Sequence, residues 1–180
     1  MDLPSHLLYT YAFEKLVTPA LVVGNPKFIM ASLTFSAIPD ILETTPFLIY
    51  LVFNRKKYGL KNIKSIIAFT ADINHNRQDE YSKNFAWASK ISFYTHSFLV
   101  YIIIAVLLYF WGSWLFLPFV IGLGLHLLTD MFMHDDYFSA RPLYPVSNFY
   151  VPGFFTWYKQ RNFSKYNYAL LVLIYIALLA

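Results

Sequence analysis

Three residues in the second half of the chain carry metal-ligand chemistry at a regular interval. His126, Asp130 and His134 are each four positions apart. On an α-helix that interval stacks side chains along one face, drifting by about 40° per step because 3.6 residues make a turn. Two neighbours in such a row can hold one ion, as the paired histidines of a zinc-protease helix do. The third lies a turn further on. It reaches the same ion only if the helix frays, or else it serves a second ion. The chain has five histidines and no cysteine, which excludes disulfides and thiolate sites. Histidine and carboxylate remain as ligand types, a set suited to zinc or another divalent cation. An ion with an open position brings water to a reactive state near neutral pH. The matching chemistry is hydrolysis of an ester or phosphodiester.

The elements that must position these groups belong to a membrane protein. Of 180 residues, 58% are hydrophobic, 21% aromatic and only 13% charged, with a mean hydropathy of +0.46. Those values select the membrane class and one domain spanning 1–180. The net charge is +4. The basic residues cluster between Arg55 and Lys90, as a topology signal does, so no nucleic-acid partner is expected. The N-terminus lacks the basic start of a signal peptide and is expected to be retained.

Leu3 to Val23 is apolar but broken by Glu14, Lys15 and Pro19. Pro4 and Ser5 predict a helix start with His6 in the first turn. Pro26 to Phe53 contains Pro39 and Pro46, which predict two short helices with a break near Ala37–Asp40. Residues 54–90 form the polar part, which the positive-inside rule places in the cytoplasm. Within it, Ser65 to Thr70 is a short helix or strand, and Asp72 to Glu80 reads as an exposed loop. Ile91 to Thr129 contains no Lys, Arg, Asp or Glu. A bilayer crossing takes about 20 residues, so this run predicts two crossings joined at Gly112-Ser113. Trp111 and Trp114 flank that turn, as aromatic residues do at a membrane boundary. Pro118 kinks the returning helix or sits in its first turn. Asp135 to Lys165 is rich in proline and aromatic residues, so it reads as an ordered loop that covers something. Tyr166 to Ala180 is apolar but shorter than the usual span of about 17 residues. It is either a final crossing that borrows preceding residues or a helix packed on the others. The expectation is an all-α integral membrane bundle of four or five helical segments with a central helical hairpin.

The hairpin has a consequence for the site. His96 lies 16 residues before Gly112, and Thr129 lies 16 after Ser113. A chain reversal there sets His96 between His126 and Asp130, within reach across antiparallel helices roughly 8–10 Å apart. Each candidate also has a plainer reading. His126 with Asp130 is a ligand pair or a buried hydrogen bond. His96 is a ligand or a histidine at the membrane boundary. His6 and Asp40 are ligands or helix caps. His134, beside Asp135 and Asp136, is a ligand or part of a solvated cluster. Glu43 reads as a cap or a cavity-facing group, and His75 as exposed. Arg55 to Lys57 reads as an anchor near lipid phosphates.

Five pieces stand in order along the chain: Pro4 to Leu8 (PSHLL), Ala37 to Leu42 (AIPDIL), Tyr94 to Leu99 (YTHSFL), His126 to His134 (HLLTDMFMH) and Arg141 to Phe149 (RPLYPVSNF). In order and approximate spacing they resemble the YdjM-like membrane-bound metal-dependent hydrolases of bacterial and archaeal inner membranes. That family is thought to be distantly similar to zinc-dependent phospholipase C, an all-helical fold with a His/Asp metal cluster. The resemblance implies His6, Asp40, His96, His126 and Asp130 as ligands, with His134 a further candidate and zinc the expected ion. The resulting expectation is a multi-pass inner-membrane hydrolase in which Asp40 is a ligand or general base. Its partner is membrane lipid, and its substrate a phosphoester or lipid. Two other classes remain open: a non-catalytic membrane protein with a structural His/Asp cluster, and a small ion transporter.

Overall fold

A computed structural model describes residues 2–17, 25–135 and 137–179, without the side chains of residues 74 and 75. Pro19, Asp136 and the exposure expected of His75 lie outside what is described. Among the described residues there are eight α-helices and a short 3-10 turn, and no strand beyond one isolated bridge between Ala140 and Val151. The helices are α1 (Leu3–Val17), α2 (Pro26–Phe53), α3 (Ile63–His75), α4 (Gln78–Asn84), α5 (Ala86–Thr95), α6 (Phe98–Phe110), α7 (Phe116–Met133) and α8 (Phe163–Leu179). The all-α class holds, with more helices than four or five.

The start of α1 is fixed by Asp2, whose carboxylate accepts the Ser5 N–H at 3.0 Å. The start of α2 uses Asn25 in the same way toward Phe28, with Pro26 in the first turn, where its missing N–H costs nothing. The break expected near Ala37–Asp40 is absent. One helix runs from Pro26 to Phe53 with both Pro39 and Pro46 inside it. Proline disturbs the carbonyls of the preceding turn, but neighbouring helices can satisfy them. In the turn before Pro39, α7 makes one such contact, with His126 Nδ1 lying 2.8 Å from the Ser36 carbonyl.

Helices α2 and α7 form the centre, with α1 and α5 packed beside them and α8 against α1. The contact of α2 with α7 is backbone-close. A Cβ placed on Gly122 would lie 2.1 Å from the Ser32 carbonyl oxygen, so only glycine fits. Helices α6 and α7 form the expected hairpin. Gly112, at φ +61°, follows the Trp111 cap, and Ser113 N–H donates to Leu108 O while Gly112 N–H donates to Tyr109 O. This is the Schellman closure, which needs a left-handed residue at that point. Pro118 lies in the first turn of α7.

In the polar segment one open expectation resolves as helix and another is corrected. The stretch Ser65 to Thr70 belongs to a 13-residue helix capped reciprocally by Asn62 and Ser65. Asp72 to Glu80 is no open loop, since α3 runs to His75 and α4 begins at Gln78. The reason is a core that periodicity alone does not announce. Ile66, Ile73, Tyr81 and Phe85 bury their side chains against Phe47 and Leu51 of α2, each contributing about 1.5–3 kcal/mol. Arg77 also pairs with Asp72 at 2.7 Å and with Glu80 at 3.1 Å across the junction.

Two helices, α2 and α7, are long and apolar enough to cross a membrane. A third crossing follows if α5 and α6, bent by 48° at their junction, count as one broken span. Helix α8 is apolar over 17 residues, begins at Phe163 and packs on α1, as the second of its two expected forms has it.

Candidate metal centre

Three helices and one junction bring the ionisable side chains together, His6 from α1, Asp40 from α2, His126 and Asp130 from α7, and His96 from the α5–α6 junction. Ligand atoms of His6, Asp40, His126 and Asp130 all lie within 4.8 Å of one another. His126 is fully buried and His6 nearly so.

The orientation of the rings follows from what holds their other nitrogens. His126 Nδ1 faces the Ser36 carbonyl, which only accepts, so Nδ1 carries the proton. His96 Nδ1 faces the Ser92 carbonyl at 3.0 Å and is protonated for the same reason. His6 Nδ1 lies 3.1 Å from Thr129 Oγ1. The Thr129 hydroxyl spends its own hydrogen on the carbonyl of Leu125 or His126, both at 2.9 Å, so it accepts from His6. In the neutral rings each Nε2 is therefore a lone pair, and all three point inward. Outer partners of this kind fix the tautomer of metal-binding histidines.

Among the described side chains, the atoms that face one another inside the cluster are all acceptors when the rings are neutral. His126 Nε2 lies 3.1 Å from His96 Nε2, and each is 3.4 Å from Asp130 Oδ2. Ligands held 2.0–2.1 Å from a tetrahedral zinc stand roughly 3.3–3.4 Å apart, so these three atoms match one face of such a polyhedron. Asp40 Oδ1 is the next group, 3.9 Å from His126 Nε2. The other Asp130 oxygen serves a different pair, with His6 Nε2 at 3.1 Å and His134 Nε2 at 3.8 Å. Asp130 is thus placed to bridge two cation positions. His6 Nε2 and Asp40 Oδ2 are buried and lack a hydrogen-bond partner. Buried lone pairs that face one another repel unless a cation or a proton lies between them. The residues present fit a divalent cation.

The sequence register holds in its result and differs in its route. His96 does lie between His126 and Asp130, but the first arm of the hairpin is not one helix. It ends at Thr95 and restarts at Phe98, with His96 as the C-cap of α5. The break is stabilised from outside. Ser97 caps α6 by accepting the Val100 N–H, and its hydroxyl donates to the Tyr144 carbonyl at 2.7 Å. Leu99 N–H donates to Pro142 O at 2.8 Å. His134 reaches Asp130 because α7 stops at Met133, leaving His134 with an extended backbone. The following loop holds it there, with Gly153 N–H donating to His134 O at 2.9 Å. The cap expected at Asp40 is not formed, because Asp40 lies inside α2. The cap at the start of α1 is Asp2, so His6 is left for the cluster.

A cavity of about 130 Å³ opens from the cluster. Asp40, Glu43, His96 and Asp130 are on its wall, and Phe138, Trp157 and Tyr158 of the proline-rich loop form its rim. The loop does cover something. Gln78 of α4 donates to Tyr158 and ties the rim to the polar lobe. Glu43 faces this cavity and accepts the Ser92 hydroxyl at 2.9 Å. The supporting residues Ser36, Ser92, Thr129 and Tyr158 carry no sequence signal as site residues. Thr129 and Ser92 could have been found only by noting a hydroxyl or carbonyl one helical turn from a candidate histidine. Comparison of the chain with family models, with curated proteins and with solved structures finds no match.

Proposed function

We propose that this chain is a multi-pass membrane hydrolase that uses a His/Asp-bound divalent cation, zinc by preference, on a phosphoester or lipid-like substrate. The observation that carries the reading is the set of three histidines, His6 and His126 buried and His96 at the cavity wall, each fixed through Nδ1, whose Nε2 lone pairs converge on Asp130. His96, His126 and Asp130 hold one cation, with Asp40 beside them. His6, His134 and the second Asp130 oxygen flank another position. A divalent cation bound there acidifies water and offsets charge on a phosphoryl oxygen. The ordered pieces that resemble the YdjM-like hydrolases support the same assignment, as does the membrane-length apolar character of α2 and α7. The site then lies toward the cytoplasmic face of the inner membrane, on the side of the basic segment 54–90.

The roles of the chain's own groups follow from their places. Asp40 borders both the ligands and the cavity, so it either completes the ligand set or takes a proton from the attacking water. Trp157, Tyr158 and Phe138 limit access of bulk water. The cavity wall carries Asp40, Glu43 and Asp130 and no Lys or Arg. An anionic phosphate is repelled by that wall unless bound cations reverse its sign. A structural metal site of the same ligands is the competing reading. A transport route keeps its buried ionisable groups but loses the broken helix at Pro39, since α2 is continuous there.

The test is metal analysis of detergent-purified, untagged protein together with hydrolysis of bis-p-nitrophenyl phosphate. One or two ions per chain are expected, with turnover abolished in His126→Ala. Bound metal without turnover on any phosphoester would favour the structural site, and protein that binds no metal would sink the assignment.

A further inference from the structure

The face of α1 turned away from the polar cavity carries a second feature. Between α1, α7 and α8 lies an apolar cavity of about 260 Å³, bounded by Ala12, Phe13, Leu16, Leu125 and Ile174. Its polar wall is His6 and Thr129, whose facing atoms are engaged with each other. A dry apolar cavity of about 150 Å³ already takes a benzene molecule, so this one has room for hydrocarbon and nothing to offer water. Tyr9 lines both this cavity and a wider groove of about 670 Å³ along α8, whose wall also carries Gln160, Arg161 and Asn162. Lys159 and Lys165 lie close by in sequence. The two spaces together are apolar at one end and cationic and hydrogen-bonding at the other.

We propose that this groove holds a membrane phospholipid, with its phosphate at Arg161 and an acyl chain in the cavity behind His6. The proposal rests on the membrane placement given above and not on hydrolysis. The match is one of charge and polarity along a single ligand. Arginine recognises a phosphate through paired N–H donors, and α7, one wall of the apolar end, is of membrane-spanning length. The acyl chain packs against the His6–Thr129 pair, so the lipid also stiffens a ligand of the metal centre.

Native mass spectrometry of the detergent-solubilised, delipidated full chain tests this with two probes, phosphatidylglycerol and a diacylglycerol of the same chains. One phosphatidylglycerol per chain is expected, in preference to diacylglycerol. Arg161→Glu should weaken the phospholipid by about fivefold or more, the weight of one basic side chain at an anionic lipid, and leave diacylglycerol unchanged. Ala12→Phe fills the apolar end and should weaken both. Leu16→Trp, at the exposed mouth, serves the same purpose if Ala12→Phe does not fold. Equal binding of both probes to wild-type protein, or undiminished phosphatidylglycerol binding in Arg161→Glu and the cavity variant, overturns the proposal. A chain that stays soluble without detergent would remove the membrane placement instead.

Discussion

Thr129→Val isolates the orientation of one histidine from the rest of the site. Valine keeps the shape of the side chain and removes the hydroxyl. In the native chain Thr129 Oγ1 accepts from His6 Nδ1 at 3.1 Å and returns its hydrogen to the carbonyl of Leu125 or His126. His6 is 2% exposed, so water cannot replace the lost acceptor. An unsatisfied buried donor costs about 1–3 kcal/mol. The ring is then free to place its proton on Nε2, where it faces Asp130 Oδ1 at 3.1 Å as a donor and not as a ligand. Loss of such an outer partner lowers metal affinity about 10–100-fold. Competition against a chromophoric chelator measures that drop. Thr70→Val is the control, because Thr70 makes the same backbone hydrogen bond, to Ile66 O at 2.9 Å, far from the cluster. If Thr129→Val binds zinc as tightly as wild type and as Thr70→Val, the tautomer argument fails for His6, and with it the inward direction of its lone pair.

Asp130→Asn should lose metal more completely than His134→Ala, because Asp130 alone lies between both groups of ligands. Inductively coupled plasma analysis would show it, and equal retention in the two variants would argue against a bridging carboxylate. Stripping the ion with a chelator should lower the thermal midpoint. A ligand present at about 100 times its Kd stabilises by about 2.7 kcal/mol, and an unchanged midpoint would mean that the folded chain does not bind the metal. Gly122→Ala should destabilise the bundle by about 1–3 kcal/mol, since its new Cβ meets the Ser32 backbone; wild-type denaturation in detergent would contradict the close α2–α7 contact. In the polar lobe, the Asn76 amide, at 3.0 Å, and then Arg77 hold the Asp72 carboxyl below its ordinary 3.8. A depressed folded value gives stability that is present above the unfolded pKa and lost as pH falls through the folded one. Asn76→Ala should therefore raise the Asp72 titration midpoint in NMR, and an unmoved midpoint would refute the assignment.

The sequence by itself determined the all-α class, the site's ingredients and the level they share along the hairpin. Its apolar runs require helices, because an unpaired backbone in hydrocarbon is too costly. Gly112 places the reversal, and from that point the distance along each arm sets His96 level with His126 and Asp130. That argument survives a broken first arm because register depends mainly on rise per residue, which a short break changes little. Only the tertiary structure decided the fates of Pro39, His6 and Asp40. A proline's missing N–H and displaced carbonyl are local facts, but whether they end a helix depends on the helices packed around it, here α1, α5 and α7 against α2. His6 could cap a helix or bind an ion with the same two nitrogens, and the choice fell to Asp2 in sequence and Thr129 in space. The helices within 63–84 were hidden for a related reason, since their short apolar faces become a core only against Phe47 and Leu51. Spacing along a chain is a one-dimensional property, and it fixes which groups share a level. Which nitrogen carries the proton, and which way each ring faces, are set by partners that sequence separates by up to 123 positions.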